Sequence, residues 1–156
     1  MAETDTKSAE ASSPPEPGEV RLEVVTVPVS DVDRAKAFYE SRGWRLDIDI
    51  EPRKGVRIVQ FTPPGSACSI SIGEGLTPAE PGSFQGSELA VYDVDVARED
   101  LIGRGIEVSD LYHLGEDGPV PGPDPEGQSY RTFASFKDPD GNTWQLQEIK
   151  ERLPGR

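Results

Sequence analysis

The sequence has few of the residues that mark a disulfide framework, a zinc site or a membrane segment. It contains one cysteine, Cys68, and one histidine, His113, among 156 residues. A single cysteine excludes an internal disulfide and any site built from several thiolates. No run of about 18 apolar residues occurs, and residues 1–20 lack the apolar segment of a signal peptide. We therefore expect a cytoplasmic protein that does not span a membrane.

Positive charge is also scarce. The chain has 16 Lys and Arg residues against 29 Asp and Glu residues, for a formal net charge of −13. Such a balance opposes binding to the phosphate backbone of nucleic acids and to anionic lipid surfaces. It permits electrostatic steering of cationic small molecules, or it serves solubility alone. The sequence therefore predicts no nucleic-acid partner and no membrane partner.

The beginning of the chain differs in composition from the rest. Residues 1–18 are rich in Ala, Ser, Pro and Glu and contain no aromatic residue. Such a segment cannot bury enough apolar surface to offset the entropy lost on ordering. We predict a disordered acidic tail over residues 1–18 and a single domain over residues 19–152.

A strand and a helix are predicted directly after the tail. The segment RLEVVTVPV alternates and is rich in β-branched residues, which favours a strand. Ser30 is predicted to cap the following helix, with Asp33 at the third helical position and Gly43 at its end. Three further short runs, WRLDIDI, VRIVQF and CSISIG, are separated by charged or Pro/Gly turns and read as strands. The order of this module is β-α-β-β-β.

The same pattern occurs twice. Residues 31–43 match residues 93–105 at six of thirteen positions, at an offset of 62, and TPPGSACSIS corresponds to DPDGNTWQLQ at an offset of 76. The second copy is therefore 14 residues longer, because 76 minus 62 is 14. We place the modules at about 20–75 and 84–149, with an inserted loop at about 109–130. Its Gly, Pro and acidic residues predict either a mobile cover over a binding site or a plain surface excursion.

The motifs resemble those of a known family. A strand that ends in V-x-D at Val29 and Asp31, a helix with the pair Phe38 and Tyr39, and the turn DPDGN at 138–142 are similar to the vicinal oxygen chelate superfamily. That superfamily includes glyoxalases, extradiol dioxygenases, fosfomycin-inactivating transferases and bleomycin-binding resistance proteins. The resemblance implies an α+β fold in which two βαβββ modules form a cupped, eight-stranded mixed sheet with helices on its convex face. It also implies ligand binding inside the cup and a homodimer.

Metal-using members of that superfamily carry His, Glu or Gln at four cup positions. Counting from the repeated motifs places these positions at Val24, Ser69, Gly86 and Gln145. Only Gln145 is a plausible ligand, whereas a catalytic metal usually takes about three protein ligands with carboxylate or imidazole character. We therefore predict no metal and no other cofactor.

Strand alternation separates the side chains that line the cup from those that face the helices. With His113 from the inserted loop, the residues predicted to bind a ligand are Thr26, Ser69, Ser71, Glu88, Tyr92, His113, Gln145 and Gln147. The residues predicted to face the helices are Val25, Val27, Ile70, Ile72, Leu89, Val91, Trp144 and Leu146. Glu88 is either a rim charge, a general base or the counter-charge of a cationic ligand. His113 is either a solvated residue or a ligand contact and proton carrier.

The sequence is compatible with two functions. The first is a metal-independent, small-molecule-binding protein of the bleomycin-resistance type, which sequesters an aromatic or cationic compound. The alternative is a glyoxalase-type lyase, isomerase or dioxygenase. It would use a non-standard metal set of Gln145, Glu88 and His113, or Glu88 alone as general base.

Overall fold

The computed structural model describes residues 13–156. Most of the predicted acidic tail, residues 1–12, lies outside the described residues. Residues 13–18 are exposed and contain no helix or strand.

Each half of the described chain contains one helix and a set of short strands. The first half comprises β1 (Val24–Thr26), α1 (Val32–Ser41), β2 (Arg45–Arg53), β3 (Val56–Thr62) and β4 (Ser69–Glu74). The second half comprises β5 (Ser87–Val91), α2 (Val94–Gly103), β6 (Tyr112–Gly115), β7 (Gly118–Pro121), β8 (Thr132–Lys137) and β9 (Thr143–Glu148). Within residues 13–156, neither helix has the length and apolar character that crossing a bilayer requires.

The strands form two mixed sheets. The first sheet has the order β1-β4-β3-β2 and the second has the order β5-β9-β8-β6-β7. In each sheet the first strand of the module pairs in parallel with the last strand, and the other pairs are antiparallel. The α+β, glyoxalase-like fold is thus confirmed. The extra strand of the second sheet, β7, comes from the inserted segment, which folds into a hairpin with β6.

The two helices begin at aspartate residues in equivalent positions. The Asp31 side chain accepts a hydrogen bond from the Arg34 N–H at 3.0 Å, and the Asp93 side chain accepts one from the Val96 N–H at 3.1 Å. Asp31 is therefore the helix cap, and the prediction of Ser30 was wrong. The Ser30 hydroxyl instead donates to the Asp140 carboxylate in the second module. The capping residue lies one position later because that aspartate has the extended backbone that a cap requires.

A single hydrophobic core is shared by both modules. It contains or directly contacts the predicted helix-facing residues Val27, Ile70, Ile72, Leu89, Val91, Trp144 and Leu146. From α1, the Phe38 ring lies 6.4 Å from the Phe136 ring of β8, and the Tyr39 ring lies 6.2 Å from the Trp144 ring of β9. Helix α1 therefore lies between its own sheet and the second sheet, and the two sheets stand back to back.

This packing differs in one respect from the predicted cup. The two sheets do not join into one sheet of eight strands, because helices and core side chains occupy the space between them. Successive residues of a strand point to opposite faces. The sheet faces opposite to the core consequently point outward, on opposite sides of the chain.

The buried DPDGN turn of the second module forms hydrogen bonds with residues of the first module. Asp138 and Asn142 are buried, and the Tyr39 hydroxyl donates to Asp138 Oδ2 at 2.8 Å. The Asn142 side-chain amide donates to Asp138 Oδ2 at 2.7 Å and to the Pro28 carbonyl at 2.8 Å. Buried polar groups of this kind need hydrogen-bond partners, and here each partner is supplied. The turn thus has a structural role.

Candidate ligand-binding faces

The outward side of the first sheet, which we call the first outer face, carries three of the predicted ligand-binding residues. Thr26 of β1 is the register partner of Ser71 of β4, and Ser69 is the partner of Val24. The neighbouring strands complete this face, because their core-facing residues alternate with outward ones. The first outer face comprises Val24, Thr26, Ile48, Ile50, Ile58, Gln60, Thr62, Ser69 and Ser71.

Hydroxyl groups on the first outer face are already hydrogen-bonded to one another. The Thr62 hydroxyl lies 2.7 Å from the Ser69 hydroxyl and also contacts the Asp47 carboxylate. Desolvation acts to raise the pKa of Asp47, but the hydrogen bonds from Thr62 and Arg45 outweigh it and hold this pKa below its usual value. Asp47 thus remains a charged acceptor at the edge of the face.

The outward side of the second sheet, the second outer face, carries the other predicted strand residues. Glu88 of β5 is the register partner of Gln145 of β9, and Gln147 follows two positions later. Outward residues of β8 and β6 lie next to them, in register with β9 and β8 respectively. The second outer face comprises Glu88, Ala90, Tyr112, Phe133, Ser135, Gln145 and Gln147.

A neutral hydrogen-bonding cluster lies at the centre of the second outer face. The Tyr112 hydroxyl is 2.7 Å from the Ser135 hydroxyl and accepts from the Gln145 side-chain amide at 3.1 Å. The Tyr112 ring stacks on the Phe133 ring, with centroids 5.6 Å apart and an interplanar angle of 17°. Gln147 donates to the Tyr130 carbonyl at 3.2 Å. The face therefore combines an aromatic stack with amide and hydroxyl groups of fixed orientation.

Strand pairing corrects one of the predicted cup positions. Glu88 pairs with Gln145 as Val24 pairs with Ser69, so the residue equivalent to Val24 is Glu88 and not Gly86. The reason is a shorter connection: two residues separate β5 from α2, whereas five separate β1 from α1. Counting back from α2 by the same number of residues as in the first module therefore reached Gly86, two residues before Glu88.

The four corrected cup positions do not fit a catalytic metal. Glu88 and Gln145 offer one carboxylate and one amide on adjacent strands, Val24 has no donor atom, and the Ser69 hydroxyl is engaged by Thr62. Among residues 13–156, no group of three or more His, Cys, Asp or Glu side chains is arranged to hold a metal ion. A divalent ion needs a larger set of anionic or imidazole donors. That the protein carries no metal stays a prediction.

Tyr92, His113 and Glu148 lie outside the sets of residues that form the two outer faces. Tyr92 follows the end of β5 and is 72% exposed, with Lys150 5.9 Å from its ring centroid. His113 follows Tyr112 on β6 and so points to the opposite side, where its Nδ1 lies 2.8 Å from the Gly122 carbonyl oxygen. The Glu148 carboxylate accepts a hydrogen bond from the Val94 N–H at the start of α2 at 3.1 Å. The structure therefore places His113 on the side of β6 opposite to the second outer face, and Tyr92 beyond the end of β5.

Sequence reasoning missed the contributions of the inner strands. Tyr112, Phe133 and Ser135 on the second outer face, and Gln60 and Thr62 on the first, were not predicted. The alternation of TFASFK in β8, with Ala134 and Phe136 in the core, was the available signal for Phe133 and Ser135. No comparable signal existed for Tyr112, because its strand of four residues lies in the Gly- and Pro-rich insertion.

The model of the Glyoxalase/Bleomycin resistance protein/Dioxygenase superfamily matches residues 21–146. The chain belongs to this superfamily. The resemblance to the vicinal oxygen chelate proteins, which rested on the duplicated motifs, is thereby confirmed. No curated protein matches the chain.

Solved structures of superfamily members include two from Streptomyces sp. CB03234 that are 32% identical to this chain. The first, TnmS3, is described as an antibiotic binding protein; its TM-score is 0.66, and the match covers 85% of this chain and 98% of TnmS3. The second is described as a glyoxalase/bleomycin resistance protein, with a TM-score of 0.63 and coverage of 82% and 100%. A superfamily member from Sphaerobacter thermophilus DSM 20745 is 26% identical, with a TM-score of 0.65 and coverage of 83% and 98%.

Proposed function

We propose that this protein binds and sequesters a small aromatic or cationic molecule, without a metal and without converting it. The observation that carries the proposal is the cluster of Tyr112, Ser135 and Gln145 on the second outer face. Small-molecule sites usually combine aromatic or apolar surface with a few fixed polar groups, and this cluster has that composition. The description of TnmS3 as an antibiotic binding protein supports the same class of function.

The chemistry of the second outer face favours a planar ligand with a positive charge or hydrogen-bonding edge groups. The stacked rings of Tyr112 and Phe133 offer aromatic surface, and the Gln145 and Gln147 amides offer donors and acceptors. Glu88, next to Gln145, adds a carboxylate that can pair with a cation. The net charge of −13 attracts cations to the whole protein.

One outer face cannot enclose a ligand, since small-molecule pockets usually bury about 70–90% of the ligand surface. We propose that the pocket forms between two copies, with the first outer face of one copy opposite the second outer face of the other. The first outer face carries apolar side chains that are exposed in the single chain, among them Val24, Ile48 and Ile50. Their burial would favour such an association.

The residues on these faces favour binding over catalysis. The Thr62 and Ser69 hydroxyls bond to each other and to Asp47, and no imidazole lies beside them to act as a base. Glu88 is exposed, so this chain alone does not provide the dry surroundings that a carboxylate general base usually has.

The test uses proflavine, a planar aromatic cation, as the probe in a fluorescence titration of the purified protein. We expect saturable binding that Gln145→Ala and Tyr112→Ala each weaken at least about tenfold, since a buried polar partner is worth on the order of 1–3 kcal/mol. Gln85→Ala is the matched control, because Gln85 is exposed and its side-chain amide donates to the nearby Gly82 carbonyl. Mass spectrometry of the released probe should find it unchanged.

Two results would contradict the proposal. One is proflavine binding that is as strong in Gln145→Ala and Tyr112→Ala as in the control Gln85→Ala. The other is time-dependent chemical conversion of the probe, which would promote the enzyme alternative.

A further inference from the structure

A cavity of about 830 Å³ lies between the two modules, apart from the hydrogen-bonded clusters on the outer faces, and Glu88 and Ala90 of the second outer face form part of its lining. It is bounded by the edge strand β5, helix α2, the end of α1 and the turn at 63–68. Its walls are largely apolar and include Trp44, Leu89, Leu101, Phe136 and Leu146. A volume of this size accommodates a small organic molecule.

Arg42 lines this cavity and is only 6% exposed. Its Nη2 donates to the Ser41 hydroxyl at 2.8 Å, and its guanidinium carbon lies 4.0 Å from the centre of the Phe38 ring. The other two nitrogens, Nε and Nη1, are buried and have no hydrogen-bond partner among the residues the structure describes. Within that part of the chain, no carboxylate forms an ion pair with Arg42.

Unpaired donors on a buried cation are costly, and a charged group of this kind usually has an anionic partner. Desolvation lowers the pKa of Arg42 to about 10, with Arg104 adding to the lowering and Tyr39 opposing it. Even so, the guanidinium remains charged at neutral pH. The carboxylate of Asp100, which also lines the cavity, is engaged by Arg104 at 3.0 Å and does not serve Arg42.

The charges around the cavity favour an anion, in contrast to the rest of the protein. Four arginines line it, namely Arg21, Arg42, Arg152 and Arg156, against the two acidic residues Glu88 and Asp100. The whole chain has the opposite balance, with a net charge of −13. A cationic wall beside aromatic and aliphatic surface is complementary to an amphipathic carboxylate.

We propose that this cavity is a second ligand site, which takes an apolar or aromatic molecule with one carboxylate group, and that Arg42 pairs with the carboxylate. The site does not depend on the proposed function of the outer faces. Its ligand class is opposite in charge to the one proposed for the second outer face. Glu88 borders both sites, so the proposal places the ligand carboxylate at Arg42 and away from Glu88.

The test compares two probes of the same shape, naphthalene-1-acetate and its neutral amide, naphthalene-1-acetamide, by isothermal titration calorimetry. We expect the carboxylate to bind at least tenfold more tightly than the amide. Arg42→Gln should remove this preference, whereas Arg45→Gln, the same substitution at an exposed arginine of β2, should leave it intact. Absence of binding by the carboxylate, or an equal affinity for both probes, would overturn the proposal.

A second pair of variants keeps the test decisive if Arg42→Gln does not fold. Ala97→Trp places a large side chain in the cavity from α2 and leaves Arg42 in place, so it should abolish binding of both probes. Gln145→Ala should not change the affinity for either probe, because Gln145 lies on the second outer face. Loss of binding in Gln145→Ala, with retention in Ala97→Trp, would assign the probes to the outer face and refute the cavity site.

Discussion

Tyr39 shows how one side chain connects the two modules. It is completely buried, it donates to Asp138 at 2.8 Å, and it accepts a hydrogen bond from the Trp144 indole N–H at 3.0 Å. Burial, and next the negative charge of Asp138, raise the pKa of the Tyr39 hydroxyl far above its usual value, so it stays protonated. The hydroxyl thereby satisfies one buried donor and one buried acceptor of the other module.

Tyr39→Phe should therefore destabilise the protein although it preserves the ring. The substitution leaves the Trp144 indole N–H without its partner and removes one donor from Asp138, at a cost of about 1–3 kcal/mol. Urea unfolding followed by tryptophan fluorescence measures the change. Tyr92→Phe is the matched control at an exposed site, with an expected change within about 0.5 kcal/mol. Equal stabilities of the two variants would show that the buried hydroxyl contributes nothing.

At the residue scale, alternation predicted the core more successfully than counting predicted single positions. Trp144, Ile70 and Ile72 lie in the core as their strand parity requires, because the period of two is intrinsic to a strand. Glu88 was not recognised as the equivalent of Val24, because that depends on the length of one connection. Counting across a connection fails when its length changes, whereas alternation within a strand does not.

The hairpin of β6 and β7 is the element that sequence reasoning described least well. The insertion was read as a loop because Gly and Pro disfavour regular strands, and β7 indeed contains two prolines. Strand structure forms there through pairing, and β6 pairs with β8 at only two positions, Tyr112 with Phe133 and His113 with Thr132. By contrast, β3 and β4 have apolar, β-branched sequences and were recognised directly.

We predict that this hairpin is the least protected part of the second sheet. Its tip extends beyond the residues paired with β8, and Leu114 is 61% exposed. Hydrogen exchange of the free protein should find faster exchange at 114–120 than in β8 and β9, and slower exchange there once proflavine is bound. In the free protein, the turn at 54–55 between β2 and β3 is the internal reference for the exchange rate of an exposed turn. Protection of 114–120 equal to that of β9 in the free protein would contradict a mobile cover.

At the scale of the whole molecule, the back-to-back sheets predict a homodimer. Light scattering after size exclusion should give a mass of twice 17.0 kDa. Ile50→Glu, on the first outer face, should weaken the dimer at least about tenfold, because it places a charge in an apolar contact. Ile102→Glu on α2 is the matched control, because Ile102 is 44% exposed and Ile50 is 47% exposed. A wild-type protein that remains monomeric at high micromolar concentration would rule out the shared pocket.

The sequence alone could not predict how the two modules pack, and the reason is physical. Each module has a complete pattern of strand and helix periodicity, and that pattern is the same whether the sheets join edge to edge or stand back to back. The choice depends on contacts between distant residues, such as Phe38 with Phe136 and Trp44 with Trp144, whose rings lie 6.4 and 5.3 Å apart. Local periodicity carries no information about which of these pairs meet.

The outward orientation of the two sheets also has a genetic consequence. If each pocket takes one wall from each copy, a chain damaged only in its first wall and a chain damaged only in its second wall can form a mixed dimer with one intact pocket. Two defective alleles of this gene would then partly rescue each other in the same cell. Two alleles damaged in the same wall would not, because every dimer they form lacks that wall in both pockets.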